Sequence, residues 1–452
     1  MTIDPSVFKA YDVRGVYPGE IDEEGAERVG AAFIAVTGAK RVAVGHDVRL
    51  SSPSMAEAFI RGALAAGADV VELGLCATEM LYFAVADGGF DAGACITASH
   101  NPPQYTGAKM VTAGAVPLSG DAGIGEVGRI AMAGPPHAAT PGERSVEEGL
   151  LGRFVEKCLT FVDPDAIRGL RVVFDAANGM SGVYLPPVLE RLDIDAVPYF
   201  LDPDGRFPNH EPNPLLPENR EFIMAKVREE KADLGIAFDG DADRCFFIDD
   251  TGEFVAGDFL TALLARHLLA RTGPAPVVYD LRASWAVRDT VAAAGGTADM
   301  FRVGHAFIKK RMREIDAIFA GEVSGHYYFK DFSFADTGLI PALLVMEMVA
   351  TTGRPLSEMI AEFRARYHIS GEINSTVADA PAAMQRIRRI RERYADGRQA
   401  EIDGLSVEYD DWHFNVRSSN TEPLLRLNLE SLVSEADMER RRDEVLEVIL
   451  SG

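Results

Sequence analysis

Four short polar stretches hold the residues whose types and spacing could do chemistry. Thr97-Ala98-Ser99-His100-Asn101-Pro102-Pro103 sets a serine between a strand-like run and a proline-restricted turn. A hydroxyl on such a rigid corner can serve as a nucleophile when a neighbour activates it, or it can simply cap the turn. Asp239-Gly240-Asp241-Ala242-Asp243-Arg244 alternates three carboxylates with small residues. If the segment is extended, alternate side chains face one point, and a hard divalent cation such as Mg²⁺ is the natural counter-charge. An EF-hand loop does not fit, because its sixth position would be Arg244 and its twelfth Asp250. Glu322 and Ser324 flank Val323 and suit sugar hydroxyls, which both donate and accept hydrogen bonds. Arg417-Ser418-Ser419-Asn420-Thr421-Glu422-Pro423, followed by Arg426, offers bidentate guanidinium contacts and loop N–H groups to a phosphate, or a plain turn between two strands.

The elements that must position these stretches repeat. Three times a β-rich run ends in an aspartate, at Asp47, Asp175 and Asp280. Each time a turn follows, then a helix-compatible stretch, a second strand-like run and a third that delivers one of the first three motifs. Strands alternating with helices predict an α/β class with parallel sheets, ligands gathering beyond the strand carboxyl ends. Three similar mixed α/β domains are expected over 1–147, 148–252 and 253–366, with the serine, aspartate and Glu322 motifs respectively. The stretch MAGPPHAATPGERS looks like the first connection. Residues 367–452 break the pattern, with alternating runs LSVEY, WHFNV and LLRLNLE and a closing helix-like segment, and read as a smaller α+β domain carrying the Arg417 loop.

Composition narrows the function classes. The 452 residues carry a formal charge of −24, from 69 acidic against 45 basic residues, which argues against a nucleic-acid partner. An acidic chain that handles an anionic substrate must gather its bases locally, as the Arg417 stretch does. The longest apolar run, around Leu339 to Ala350, contains Glu347 and is too short to span a bilayer. No secretory signal is visible at the N-terminus, and four widely spaced cysteines suit buried thiols in a reducing cytoplasm. Gly123-Ile124-Gly125-Glu126-Val127-Gly128 matches GxGxxG but follows a loop rather than a strand, so a dinucleotide site lacks its required context. No Walker A sequence is present.

With these residues in hand, the chain resembles the α-D-phosphohexomutase superfamily, bacterial phosphomannomutase/phosphoglucomutase above all. KAYDVRG, TASHNPPQYTGAKM, DGDADR, VGHAFIK, GEVSGH and RSSNTEPLLR occur in the family's order along essentially the whole chain. The resemblance implies four domains around a central cleft, a transferable phosphate on Ser99, and Mg²⁺ held by that group with Asp239, Asp241 and Asp243. It implies that Glu322 and Ser324 bind the sugar's hydroxyls and that Arg417, Ser418, Ser419, Asn420 and Thr421, with Arg426 nearby, grip the non-reacting phosphate. Tyr11, Arg14, His100, Lys109, Arg244, Arg282, His305 and His326 match cleft-lining positions. Thr106, Arg282 and Val323 stand where relatives often carry Asn, Lys and Met, and Val323 is not the Gln typical of phosphoglucosamine mutases.

The activity so implied is interconversion of hexose 1-phosphate and hexose 6-phosphate through phospho-Ser99 and a hexose 1,6-bisphosphate. Mannose phosphates are expected to be preferred and glucose phosphates accepted; the expected partner is the phosphosugar, with neither nucleic acid nor membrane, and the expected state is a monomer or dimer. Lys109 and Arg14 would polarise the reacting oxygen, with His100 a candidate for proton transfer and Arg244 beside them. The rivals are a phosphoglucosamine mutase, a serine-nucleophile metallophosphatase and a silent sugar-phosphate binder.

Overall fold

A computed structural model describes residues 3–120, 123–418 and 424–451. The chain divides into two compact units, one of Met1–Val255 with Ser324–Ser357 and the other of Ala256–Val323 with Glu358–Gly452.

The first unit holds two mixed sheets. In one, Arg41–His46 runs parallel to both Asp69–Leu75 and Ala92–Ile96, and Tyr105–Thr112 returns antiparallel to Ala92–Ile96. The inner run Val42-Ala43-Val44-Gly45 is buried throughout, as a strand covered on both faces must be. The helix Ser52–Ala65 has a proline in its first turn, and its Met55, Ala56, Phe59, Ile60 and Ala63 recur at helical spacing to bury one stripe in the core. In the other sheet, Leu234–Phe238 lies parallel to Arg168–Asp175 and antiparallel to Cys245–Ile248. The helix Leu339–Thr352 is buried along most of its length, and the carboxylate of its Glu347 accepts the Asp163 N–H at 2.7 Å. Among the described residues no single helix is long and apolar enough to cross a membrane.

In the second unit Pro276–Asp280 is parallel to Thr297–Phe301 and to Phe319–Gly321. Its C-terminal part is antiparallel: Trp412–Ser418 pairs with Leu405–Glu408 and Leu424–Ser431, and Ala380–Arg393 and Glu435–Leu450 contribute Ile387, Ile390, Val445 and Ile449 to the core beside Phe414, Val416 and Leu427. The sequence pattern anticipated parallel sheets; the strands added antiparallel at their edges make them mixed.

The repeat is real at the level of single hydrogen bonds. Asp47 Oδ1 accepts the Arg49 N–H at 3.0 Å, Asp175 Oδ1 the Ala177 N–H at 2.9 Å, and Asp280 Oδ1 the Arg282 N–H at 2.8 Å. Three strand ends thus turn through the same Asp-to-i+2 bond, a local closure that aspartate makes readily. The four cysteines are all buried thiols.

Candidate active site

Ser99 follows the strand Ala92–Ile96 and is 1 % exposed. Its N–H donates to Thr97 Oγ1 at 2.9 Å, and its φ of 53° lies in the left-handed region that non-glycine residues rarely occupy. The hydroxyl faces three partners: His100 Nδ1 at 3.2 Å, Asp239 Oδ2 at 3.4 Å and an Arg244 guanidinium nitrogen at 3.4 Å.

Asp239, Asp241 and Asp243 are buried, and each offers a carboxylate oxygen within 4.8 Å of the others. The extended loop expected from their alternation is corrected here: the segment is a turn, with Ala242 at φ 65°, and the carboxylates converge because the chain wraps around them. Gly240 belongs to that wrap, since a Cβ there would lie 2.6 Å from the Ser99 carbonyl oxygen. Burial, and then the neighbouring Asp241 and Asp243, push the Asp239 carboxyl well above its usual range despite Arg244. Lys109, on the strand Tyr105–Thr112, donates to Asp241 Oδ2 at 2.6 Å and also contacts Asp243. Burial works against its charge, but Asp241 and Asp243 more than offset it and raise its pKa. Arg244 Nε sits 3.1 Å from Asp239 Oδ2. With all three carboxylates ionised, as a bound cation would hold them, Lys109 and Arg244 leave one negative charge in the group. Asp241 Oδ1 is buried with no hydrogen-bond partner among the described residues. An unmatched oxygen, surplus negative charge and an all-oxygen donor set fit a hard divalent cation such as Mg²⁺.

His100 also contacts Arg244, and burial followed by the charges of Arg244, Arg14 and Lys109 holds its pKa well below the ordinary imidazole value. The ring therefore stays neutral and weakly basic, a hydrogen-bond partner to Ser99 rather than a strong base. Arg14 reaches Asn101 Oδ1 at 2.7 Å and pairs with Asp12. His326 places Nε2 3.6 Å from Asp243 Oδ1, while its Nδ1 lies 3.0 Å from Ser324 Oγ. The first unit thus brings together Ser99, His100, Lys109, Arg14, Arg244, the three aspartates, Ser324 and His326; Tyr11 is half-buried near the start of the same unit.

The second unit assembles a different group. Arg282 forks onto Asp280, Nε to Oδ1 at 2.9 Å and a terminal nitrogen to Oδ2 at 2.9 Å. Burial alone would raise the Asp280 carboxyl, and Arg282 overcomes it, holding it below the usual range. Glu322 Oε1 accepts the Gly304 N–H at 3.0 Å, next to His305 at the start of the helix His305–Ile315. Glu372 Oε2 takes Arg417 at 3.2 Å and Arg282 at 3.5 Å, and its Oε1 takes Arg426 at 3.3 Å. Arg282 is already paired with Asp280, so Arg417 and Arg426 share the Glu372 carboxylate with one positive charge to spare, a local excess suited to an anionic phosphate group. Ser418 ends the strand Trp412–Ser418; Ser419, Asn420 and Thr421 lie outside the described residues.

The comparisons agree along the chain. Models of phosphoglucomutase/phosphomannomutase α/β/α domains I, II and III match residues 5–128, 152–252 and 256–367, and the C-terminal domain model matches 372–448. The chain belongs to the phosphoglucomutase/phosphomannomutase family. The phosphohexose mutases of Xanthomonas campestris pv. campestris are 42 % identical to it over 97 % of this chain and 98 % of theirs. The phosphomannomutase of Salmonella montevideo is 42 % identical over 98 % of this chain and 99 % of its own. A crystal structure of a phosphoglucomutase/phosphomannomutase family protein from Burkholderia thailandensis superposes with a TM-score of 0.88 at 33 % identity, covering 100 % of this chain and 99 % of that one. This chain is therefore an isomerase of the phosphohexomutase class.

In this mutase three site neighbours escape the motif reading. Thr78 opens the helix Thr78–Asp87, donates its hydroxyl to Asp241 Oδ2 at 2.5 Å and its N–H to the Asp241 carbonyl at 3.3 Å, so a positive helix end faces a candidate metal ligand. Glu372 sits outside every motif, and only its position between three arginines reveals it. Arg49 belongs to a D-x-R that recurs at Asp280-Leu281-Arg282, a signal the repeat could have supplied.

Glu79, beside Thr78, is fully buried, accepts the Leu339 N–H at 3.5 Å, and is raised by burial to a pKa of about 8. A carboxyl raised on folding contributes stability that is complete below its ordinary range and is lost as pH climbs from about 4.5 through about 8. Glu79→Gln keeps the acceptor without the charge. Thermal melts at pH 5 and pH 8 are expected to show a fall in Tm for the parent that is smaller in the variant; equal falls would show that Glu79 does not titrate in this window.

Proposed function

We propose that this phosphohexomutase interconverts hexose 1-phosphate and hexose 6-phosphate through a phosphorylated Ser99 and a hexose 1,6-bisphosphate, preferring mannose phosphates and accepting glucose phosphates. The observation that carries this reading is the seating of Ser99 Oγ 3.4 Å from Asp239 Oδ2 and 3.4 Å from Arg244, beside a carboxylate cluster suited to a divalent cation.

In the forward half-reaction the bond between phosphorus and Ser99 Oγ breaks as one forms to the free C6 or C1 hydroxyl of the sugar, whose proton leaves. In the second half the other phosphoryl group of the bisphosphate returns to Ser99, so no nucleotide is consumed. Mg²⁺ bound by Asp239, Asp241 and Asp243 would offset charge on the phosphoryl group. Arg244 orients Ser99 Oγ; Lys109 and Arg14 polarise the reacting oxygen, and its proton passes to the neutral imidazole of His100. Glu322 and Ser324 bind sugar hydroxyls, with Tyr11, His305 and His326 lining the substrate's path. Arg282, Arg417 and Arg426 supply cations for the phosphate that does not react, and Ser418, Ser419, Asn420 and Thr421 share that role. Positioning and charge complementarity account for most of the acceleration in such transfers.

The enzyme incubated with ³²P-labelled hexose phosphate is expected to carry label on Ser99, located by peptide mass spectrometry, and to yield bisphosphate as a minor product. Label on another residue, or free inorganic phosphate without isomer, would overturn the reading in favour of a phosphatase. Turnover of mannose, glucose and glucosamine 1-phosphates in parallel assigns the sugar, and a dominant glucosamine rate would reject the mannose preference.

A further inference from the structure

The D-x-R turn closes two of the three repeated strand ends, and the two arginines take opposite paths. In each, the arginine N–H donates to the aspartate Oδ1 and the guanidinium folds back onto the same carboxylate, Arg49 Nε reaching Asp47 Oδ2 at 3.1 Å. Arg282 then turns toward Glu372. Arg49 turns inward and is 0 % exposed.

There it meets four backbone carbonyls of the serine loop. One terminal nitrogen donates to Pro102 at 2.7 Å and Tyr105 at 3.3 Å; the other donates to Ser99 at 2.7 Å and Asn101 at 2.6 Å. A planar five-donor fork is the one side chain that can serve a carboxylate and several carbonyls at once, and an ammonium cannot span them. The guanidinium carbon lies 5.2 Å from the centroid of the Phe207 ring. Gly205 presses against the same turn: a Cβ there would lie 2.3 Å from the Val48 carbonyl oxygen and 2.5 Å from Arg49 Cα.

Ser99 is thus gripped on both sides of its Cα, its N–H by Thr97 and its carbonyl by Arg49, while its φ stays at 53°. We propose that Arg49 is the positioning residue of the serine loop, its guanidinium setting the path of residues 99–105 and with it the direction of Ser99 Oγ toward Asp239 and Arg244. Arg49 touches no substrate in this arrangement; it acts through the backbone of the residue that does the chemistry. The inference rests on the reading of Ser99 as phosphoryl carrier.

Two variants test it. Arg49→Lys keeps the charge and loses the fork. Asp47→Asn keeps the acceptor for the Arg49 N–H and for Ser52 but withdraws the carboxylate that orients Nε. Arg49→Lys is expected to lower kcat about 100-fold with KM within about threefold, and Asp47→Asn to lower kcat about tenfold, the size of effect that a small misplacement of a reacting group produces. Hydrogen exchange over 99–105 should quicken in both, with the rest of the protein exchanging as in the parent. If Arg49→Lys does not fold, Asp47→Asn decides. A folded variant with parental kcat, or one whose 99–105 amides exchange at the parental rate, overturns the proposal; so does failure of both to fold, which would make Arg49 a core residue and nothing more. If Ser99→Ala remained active the carrier reading would fall, while the exchange measurement would still test the clamp.

Discussion

Ser99→Ala is expected to lose at least about 10⁴-fold of isomerase turnover, as removal of a covalent nucleophile does elsewhere. The substitution takes away one oxygen and little else. The loop's path depends on backbone groups, the Ser99 N–H on Thr97 and its carbonyl on Arg49, and alanine retains both. The candidate cation site keeps its three carboxylates, and the arginines around Glu372 lie on other segments. Substrate affinity should therefore survive while kcat collapses. A coupled assay from hexose 1-phosphate measures turnover, calorimetry measures hexose phosphate binding, and intact mass reports the missing phosphoryl group. A variant within tenfold of the parental rate would remove Ser99 from the chemistry altogether.

Asp241→Asn should produce the next largest effect, about a 10³-fold fall in turnover, from the several kcal/mol of charge stabilisation a bound cation supplies. Asp241 is the discriminating choice among the three because its two oxygens are used differently. Oδ2 is taken by Thr78 and Lys109, whereas Oδ1 is buried with no hydrogen-bond partner among the described residues. An amide in its place removes the surplus negative charge that favours a divalent ion. Chelating metal from the parental enzyme should cost a comparable factor, and adding Mg²⁺ back should restore it. The same cation should raise the parental Tm in proportion to the logarithm of its concentration, and should raise that of Asp241→Asn much less. Equal Tm shifts for both proteins would place the cation elsewhere.

Much of this site was legible in the one-dimensional chain because its parts are local. A strand ending in aspartate closes through a bond to the residue two positions on, and that bond needs no distant partner; Asp47, Asp175 and Asp280 all make it. The DGDADR stretch announces its carboxylates by their density. Its shape differs from the extended loop that alternation suggests, because Ala242 at φ 65° makes it a turn. The reason is long-range: the Ser99 carbonyl comes within 2.6 Å of where a Gly240 Cβ would stand, and the loop bends to admit it.

What the amino-acid order determined by itself, then, is the repeated strand, turn and helix unit, the residue types at its turns, and the gathering of bases in an acidic chain. Only the tertiary structure decided which distant groups those turns would meet. Arg49 and Arg282 share the same D-x-R turn, yet one is buried against the carbonyls of residues 99 to 105 and the other reaches Glu372. Thr78 lies 163 positions from Asp241 and still holds its carboxylate. Hydrogen bonds between neighbours in sequence follow from backbone geometry, which local residue types control. Those between remote segments follow from which buried polar groups need partners once the core has closed, and that is a property of the packed molecule.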